Sequence, residues 1–318
     1  MNSSETHPYW ILAFYCLEPI ADPQKEVKAH KKFFETIDVA SRIYISEAGI
    51  NAQMSIHKDD AKKYMEWMEG RPPFSGIRYK IDAHKEHAFP RKTVKYRKKL
   101  VAIDEEIDFS QTGALISPEE WKRMLDASDL PKVVIDVRNE YEWKVGHFEG
   151  AELPPCETFR EFKGYSEKLS QEIDPKETAV MMYCTGGIRC ELYSSILKKQ
   201  GFEKIYQLDG GVINYGHKVG SSKWRGKLFV FDDRLVVPVG KEETEVIASC
   251  HHCQKPAESY HNCANMDCNH LFICCANCLP KCQGCCKEEC QTSARIRPYH
   301  EVNSHKPFRK WHHYFDKK

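Results

Sequence analysis

The chain has 318 residues, 41% of them hydrophobic, with 47 Lys and Arg against 46 Asp and Glu for a net charge of +1. That length accommodates about two domains, or three if one is small, and the apolar content excludes a disordered chain. No apolar run approaches the ~20 residues of a membrane-spanning helix, and the opening Met-Asn-Ser-Ser-Glu-Thr-His lacks the basic and apolar regions of a signal peptide, which predicts a soluble, cytoplasmic protein. In chain order, residues 11–17 form an apolar, aromatic run of strand length. Lys25 to Ile37 sets Val27, Phe33, Phe34 and Ile37 at helical spacing. Residues 41–46 alternate polar with apolar, and after the Gly49 turn a second strand runs from Ala52 to Ile56. Lys58 to Glu69 is helical again, with Ala61, Tyr64, Met65 and Met68 on one face, and strand alternation returns at 77–81 and 93–103. The order β-α-β-β-α-β predicts a ferredoxin-like α+β sandwich over residues 1–104.

Between Arg78 and Lys99 the charge is +7, with Arg91, Lys92, Lys95, Arg97 and Lys98 at its centre and Tyr79, Phe89 and Tyr96 interleaved. Two readings stand. One is a phosphate-contacting surface with aromatic platforms for nucleic acid; the other is an exposed strand edge protected by lysine.

After a linker at 104–113, Ser117-Pro-Glu-Glu120 supplies an N-cap, Pro at the first helical position and a Glu two residues later. Residues 132–137, 178–183 and 204–208 are apolar strands of the kind buried on both faces in a parallel sheet. A helix from Cys190 to Lys199 lies between the last two and stops at Gly201. Strands alternating with helices predict a doubly wound α/β domain over 113–237.

In such sheets chemistry sits just beyond the carboxyl ends of the strands. There the sequence places Cys184-Thr-Gly-Gly-Ile-Arg-Cys190. The backbone of Thr185, Gly186, Gly187 and Ile188 can form a cradle of N–H groups at a helix N-terminus. With Arg189 it is expected to hold Cys184 as a thiolate, or as a persulfide. Cys190, in the first turn of that helix, is either a resolving thiol or a packed one.

This domain resembles the rhodanese superfamily in Asp136-Val-Arg138, in Glu140-Tyr-Glu-Trp143 with Gly146-His-Phe-Glu-Gly-Ala151, and in the loop headed by Cys184. Related phosphatases carry a Cys-x5-Arg loop; Arg189 makes this one Cys-x4-Arg, the shorter sulfurtransferase type. Asp136 and Arg138 are expected to pin the sheet end. More narrowly, the Cys184 loop with Glu191, Tyr206-Gln-Leu-Asp-Gly-Gly-Val212, residues 224–234, Arg42-Ile-Tyr-Ile-Ser-Glu-Ala-Gly-Ile-Asn51 and Phe89-Pro-Arg91 are similar to the rhodanese-domain tRNA uridine hydroxylases. Ala52 departs from the glycine common there, and Ala48 is a second departure. The resemblance implies oxygen-dependent formation of 5-hydroxyuridine at the tRNA wobble position, with molecular oxygen as co-substrate and Cys184 essential. The partner would be the anticodon arm, guided by the basic block. No flavin or nicotinamide motif is seen. A sulfurtransferase carrying persulfide sulfur on Cys184, detectable by sulfane transfer to cyanide, and a non-catalytic zinc-containing RNA-binding protein are the alternatives.

Eleven of the 15 cysteines fall between Cys250 and Cys290. Repeated Cys-x2–4-Cys pairs in a reducing compartment indicate zinc rather than disulfides. The expected pairings are Cys250 and Cys253 with Cys275 and Cys278, and Cys263 and Cys268 with Cys290 and either Cys285 or Cys286; Cys285 is the nominal choice. The 245–292 module has little aliphatic content, so metal would supply its stability. Residues 293–318 are expected to form a basic arm suited to RNA.

Overall fold

A computed structural model describes residues 7–128, 131–297 and 299. Its contacts divide the chain into two units, residues 1–106 and 107–318.

In the first unit the elements are β1 (Tyr9–Cys16), α1 (Pro23–Phe33), β2 (Val39–Ser46), β3 (Gly49–His57), α2 (Lys58–Glu69), β4 (Lys80–His84) and β5 (Lys92–Tyr96). Asp22 caps α1 by accepting the Lys25 N–H at 2.9 Å, and Pro23 occupies the position whose N–H would go unused. The sheet order is β4-β1-β3-β2-β5. Its first four strands are the antiparallel ferredoxin-like set, and β5 joins in parallel beside β2. Apolar residues on one face (Leu12, Phe14, Ile43, Ile45, Ala52, Met54) meet Val27, Phe34, Ala61, Tyr64 and Met68 of the two helices. The strands expected at 77–81 and 93–103 are β4 and β5, the first shifted by three residues and the second ending at Tyr96. They lie on opposite edges of the sheet.

In the second unit, β6 (Ala114–Ile116), α3 (Pro118–Asp126) and β7 (Lys132–Asp136) are followed by α4 (Glu140–Trp143), β8 (Gly146–Phe148) and α5 (Phe162–Glu172). Then come β9 (Ala179–Tyr183), α6 (Ile188–Lys199), β10 (Ile205–Leu208) and α7 (Gly211–Lys218). The four parallel strands run in the order β6-β10-β9-β7. Every residue of β9 is buried, because successive side chains point to opposite faces and helices cover both. Met181 and Tyr183 pack with Trp121, Val212 and Tyr215. Small antiparallel pairs complete the unit: β11 (Trp224–Gly226) on β8, β12 (Leu228–Phe229) on β13 (Val236–Val237), and β14 (Tyr260–Asn262) on β15 (Leu271–Ile273).

The cysteine-rich segment is not the coreless module expected from its composition. Phe229, Leu235 and Val145 of the α/β part form one cluster with Tyr260, Phe272, Ile273, Leu279 and the buried cysteines. Two residues of the expected basic arm, Arg295 and Arg297, are tied into this segment. Arg297 is only 4% exposed and donates to the Cys263 carbonyl at 3.0 Å and to Asn269 Oδ1 at 2.6 Å, while Arg295 pairs with Asp267. The arm's remaining basic residues, Lys306 to Lys318, lie outside the described residues. No helix among those described is long and apolar enough to cross a membrane.

Candidate active site and metal centres

Cys184 follows β9 directly, and Gly187, at φ +103°, turns the chain into α6. That left-handed conformation costs glycine little and other residues much. The loop is held from beneath by α7: the N–H groups of Val212 and Ile213 donate to the carbonyls of Cys184 and Thr185 at 3.0 and 3.2 Å. Gly211 makes this approach feasible, since a Cβ there would meet the Cys184 and Thr185 carbonyl oxygens at 2.5 and 2.7 Å.

Cys184 is 1% exposed. Burial opposes its ionisation, but the Cys190 thiol donates to its sulfur, Arg189 lies close by, and the N–H groups of Gly187 and Arg189 point at it. Together they hold the thiol well below its ordinary value. The Gly187 N–H lies 3.0 Å from Sγ. Cys190 responds oppositely: burial and its hydrogen bond to Cys184 push it well up, so it stays a protonated donor. Of the expected cradle, the Gly187 N–H faces the sulfur, and the N–H of Arg189, which lies outside it, adds to the effect. Thr185 instead turns its hydroxyl toward Glu142 at 3.4 Å, and neither Gly186 nor Ile188 makes a hydrogen bond to the thiolate among those described.

Arg189 has a second partner besides the Cys184 sulfur. It forms a two-pronged pair with Glu142, Nη1 to Oε1 at 2.5 Å and Nη2 to Oε2 at 2.8 Å. Glu142 is fully buried and further accepts the Asn139 N–H at 3.1 Å. The sequence reading overlooked Glu142 as a member of the site. Its signal was the Asn139-x-x-Glu142 spacing, which by itself indicates only a capped helix start. Nearby, Arg138 is fully buried, grips Asp136 through Nε at 2.8 Å and Nη2 at 2.6 Å, and donates to the Gly146 carbonyl at 2.6 Å. This pair ties β7 to the start of β8 and makes no contact with Cys184 among the described hydrogen bonds.

Two cysteine quartets gather as Cys250, Cys253, Cys275 and Cys278, and as Cys263, Cys268, Cys286 and Cys290. Cys286, not Cys285, completes the second; the Cys285 thiol donates to the Gln283 carbonyl instead. Adjacent cysteines on a turn point in different directions, and spacing alone does not choose between them. A tetrahedral zinc with bonds of about 2.3 Å places its sulfurs about 3.8 Å apart. Cys253 and Cys275 sulfurs are 3.8 Å apart, and those of Cys268 and Cys286 are 3.6 Å apart. Backbone N–H groups of Cys275 and Cys286 point at the Cys250 and Cys263 sulfurs at 3.3 and 3.5 Å, which offsets thiolate charge. The donor set and spacing therefore fit zinc.

In the first unit the basic block is dispersed. Lys92 donates to the Phe34 carbonyl, Phe89 is buried in the core, and Arg78, Lys80 and Lys85 belong to the β4 edge. On the β2–β5 side a different cluster forms: the Arg42 and Arg97 guanidinium groups lie 5.6 and 5.3 Å from the centre of the Tyr44 ring. Lys95 is close enough to act on the same ring electrostatically. Lys95, Arg97, Lys98 and Arg91 are exposed. Arg42 and Tyr44 were absent from the predicted surface because they precede it by some fifty residues and join it only through parallel pairing with β5.

A parallel sheet carrying a buried, N–H-cradled thiolate at a strand-to-helix junction defines a rhodanese-type protein, here joined to an α+β sandwich and a cysteine-rich module. Family models agree: residues 9–100 match the UPF0176 acylphosphatase like domain, 117–218 the rhodanese-like domain, and 225–291 the rhodanase C-terminal model. A protein of Protochlamydia amoebophila named tRNA uridine(34) hydroxylase is 59% identical over 96% of each chain. Proteins of the same name from Chlamydia abortus and Chlamydia trachomatis are 55% and 53% identical over 96% of this chain and 93% of their own. The chain belongs to the tRNA uridine(34) hydroxylase family.

Proposed function

We propose that this protein hydroxylates the wobble uridine of tRNA, giving 5-hydroxyuridine, with Cys184 as nucleophile. The observation that carries the reading is identity of 53–59% with tRNA uridine(34) hydroxylases along the chain that holds the cradled thiolate. Uracil accepts nucleophiles at C6. Addition of the Cys184 thiolate there forms an S–C6 bond and moves the ring's electron pair toward C5 and O4, which makes C5 reactive toward dioxygen. One oxygen atom stays on C5; the other leaves as water, taking two protons and two electrons from an external reductant. Loss of the C5 proton then expels the thiolate and restores the double bond. Cys190 and the N–H groups of Gly187 and Arg189 stabilise the sulfur anion before attack and after release.

The wobble base is single-stranded, so its recognition relies on stacking and phosphate contacts. Arg42, Tyr44, Lys95 and Arg97 supply that chemistry in the first unit. Zinc in the two quartets would be structural, since four thiolates leave no open position. A tRNA substrate places the reaction in the cytoplasm.

The test is mass spectrometry of tRNA nucleosides from cells bearing the intact gene, a deletion, or Cys184→Ser. Loss of 5-hydroxyuridine in both altered strains is expected. An unchanged level in a deletion strain without a redundant enzyme rejects the reading, and sulfane transfer to cyanide without hydroxylation would assign the thiolate to sulfur transfer.

A further inference from the structure

After the two quartets are assigned, two buried cysteines and one histidine of the same segment converge. Ligand atoms of His252, Cys274 and Cys282 all lie within 4.8 Å of one another. The three are interleaved with the first quartet: His252 stands between Cys250 and Cys253, Cys274 precedes Cys275, and Cys282 follows Cys278. Folding of that quartet therefore brings the trio together.

His252 is oriented by a separate interaction. Its Nε2 lies 3.0 Å from the Cys285 carbonyl oxygen. A carbonyl only accepts, so Nε2 carries the hydrogen and Nδ1 keeps its free pair. Metal-bound histidines are oriented in this way, with the distal N–H given to a carbonyl or carboxylate. Cys274 and Cys282 are buried while His252 is exposed, so the two thiolates form the floor and the imidazole the rim.

We propose that His252, Cys274 and Cys282 bind a third divalent ion of the zinc class, with its fourth position open to solvent on the histidine side. Two thiolates, one imidazole and an exchangeable water make the donor set of a reactive zinc site rather than of a closed structural one. The proposal stands whether or not the tRNA reading holds.

The test is metal content of the full chain, purified after zinc loading and removal of free ion. About three equivalents per chain are expected for the unaltered protein and for Cys285→Ser, whose thiol lies outside all three groups, and about two for His252→Ala and for Cys282→Ser. Two equivalents in the unaltered protein, or three in both variants, overturns the proposal. Cadmium-113 NMR of the unaltered chain guards against a variant that fails to fold. Three resonances are expected, one displaced toward mixed sulfur–nitrogen coordination; only all-thiolate resonances would overturn the site. A Cys274–Cys282 disulfide in protein purified under reducing conditions, seen as two hydrogens missing from the intact mass, would also overturn it.

Discussion

A thiol almost sealed from solvent should resist ionisation, yet Cys184 is held as an anion because each neighbour that reaches its sulfur donates a hydrogen or carries positive charge. The Cys190 thiol is the largest of these favourable contributions. A hydrogen bond to a charged group is worth about 1.5–3 kcal/mol, so Cys190→Ala should raise the Cys184 midpoint by about one pH unit or more. Cys190→Ser, which keeps an O–H donor, should stay near the parent. The measurement is thiolate absorbance against pH, each chain taken as a difference from its Cys184→Ser counterpart. An unmoved midpoint in the alanine variant would remove Cys190 from this role. The sign is fixed by the direction of the shift. Stability gained from ionising Cys184 is complete above the ordinary thiol value of 9.0 and is lost as pH falls through the depressed folded value. With Cys184 as the proposed nucleophile, turnover would require the anion, so its acid limb should move to higher pH in Cys190→Ala. Cys184 was legible in the sequence because a cysteine, two glycines and an arginine meet at one strand-to-helix junction. Glu142 was not legible as their partner, since it stands 47 positions before Arg189 and is joined to it only by the fold.

At the scale of elements, patterning conveyed most of the architecture and least of the surface. Apolar strands and capped helices are local, and α3 shows it: Ser117 accepts the Glu120 N–H at 3.1 Å, as its spacing implies. The +7 block is local too, but its two halves become β4 and β5 on opposite edges of one sheet, because strand order is settled by pairing across the domain. Lysines on either edge guard against edge-to-edge association. Among the described residues, the β5 side gathers two arginines over one tyrosine, Arg42 and Arg97 on Tyr44, where the β4 side sets a single lysine, Lys80, over Tyr15. Reversing Lys95, Arg97 and Lys98 to glutamate should therefore weaken tRNA binding by roughly tenfold or more at low salt and flatten its salt dependence. Reversing Lys80 and Lys85 on the other edge should leave affinity within about twofold. Affinity measured across a salt series decides it; equal losses from both sets would reduce the effect to net charge.

At the scale of the molecule, the cysteine-rich segment and the rhodanese-like sheet are one structure. Tyr260 donates its hydroxyl to the Tyr141 carbonyl, and Phe229 contacts both Tyr141 and Tyr260 edge-on. Tyr141 lies in α4 beside Glu142, the partner of Arg189. Stripping metal from the quartets should loosen this buttress. The expected result of chelation is loss of near-ultraviolet dichroism from the shared aromatic cluster together with a raised Cys184 midpoint, both restored by zinc. A chelated protein with an unchanged thiolate would show that the module serves some other purpose. Composition suggested a separate, metal-held appendage, and could not reveal this continuity because the joining side chains come from distant segments. The burial of Cys184 has a practical consequence for chemical labelling. Cys253 is exposed, whereas Cys184 and Cys190 are enclosed. A bulky alkylating reagent that abolishes turnover would thus be reporting damage at the periphery, and only a probe as small as the reacting edge of a pyrimidine would count the thiolate itself.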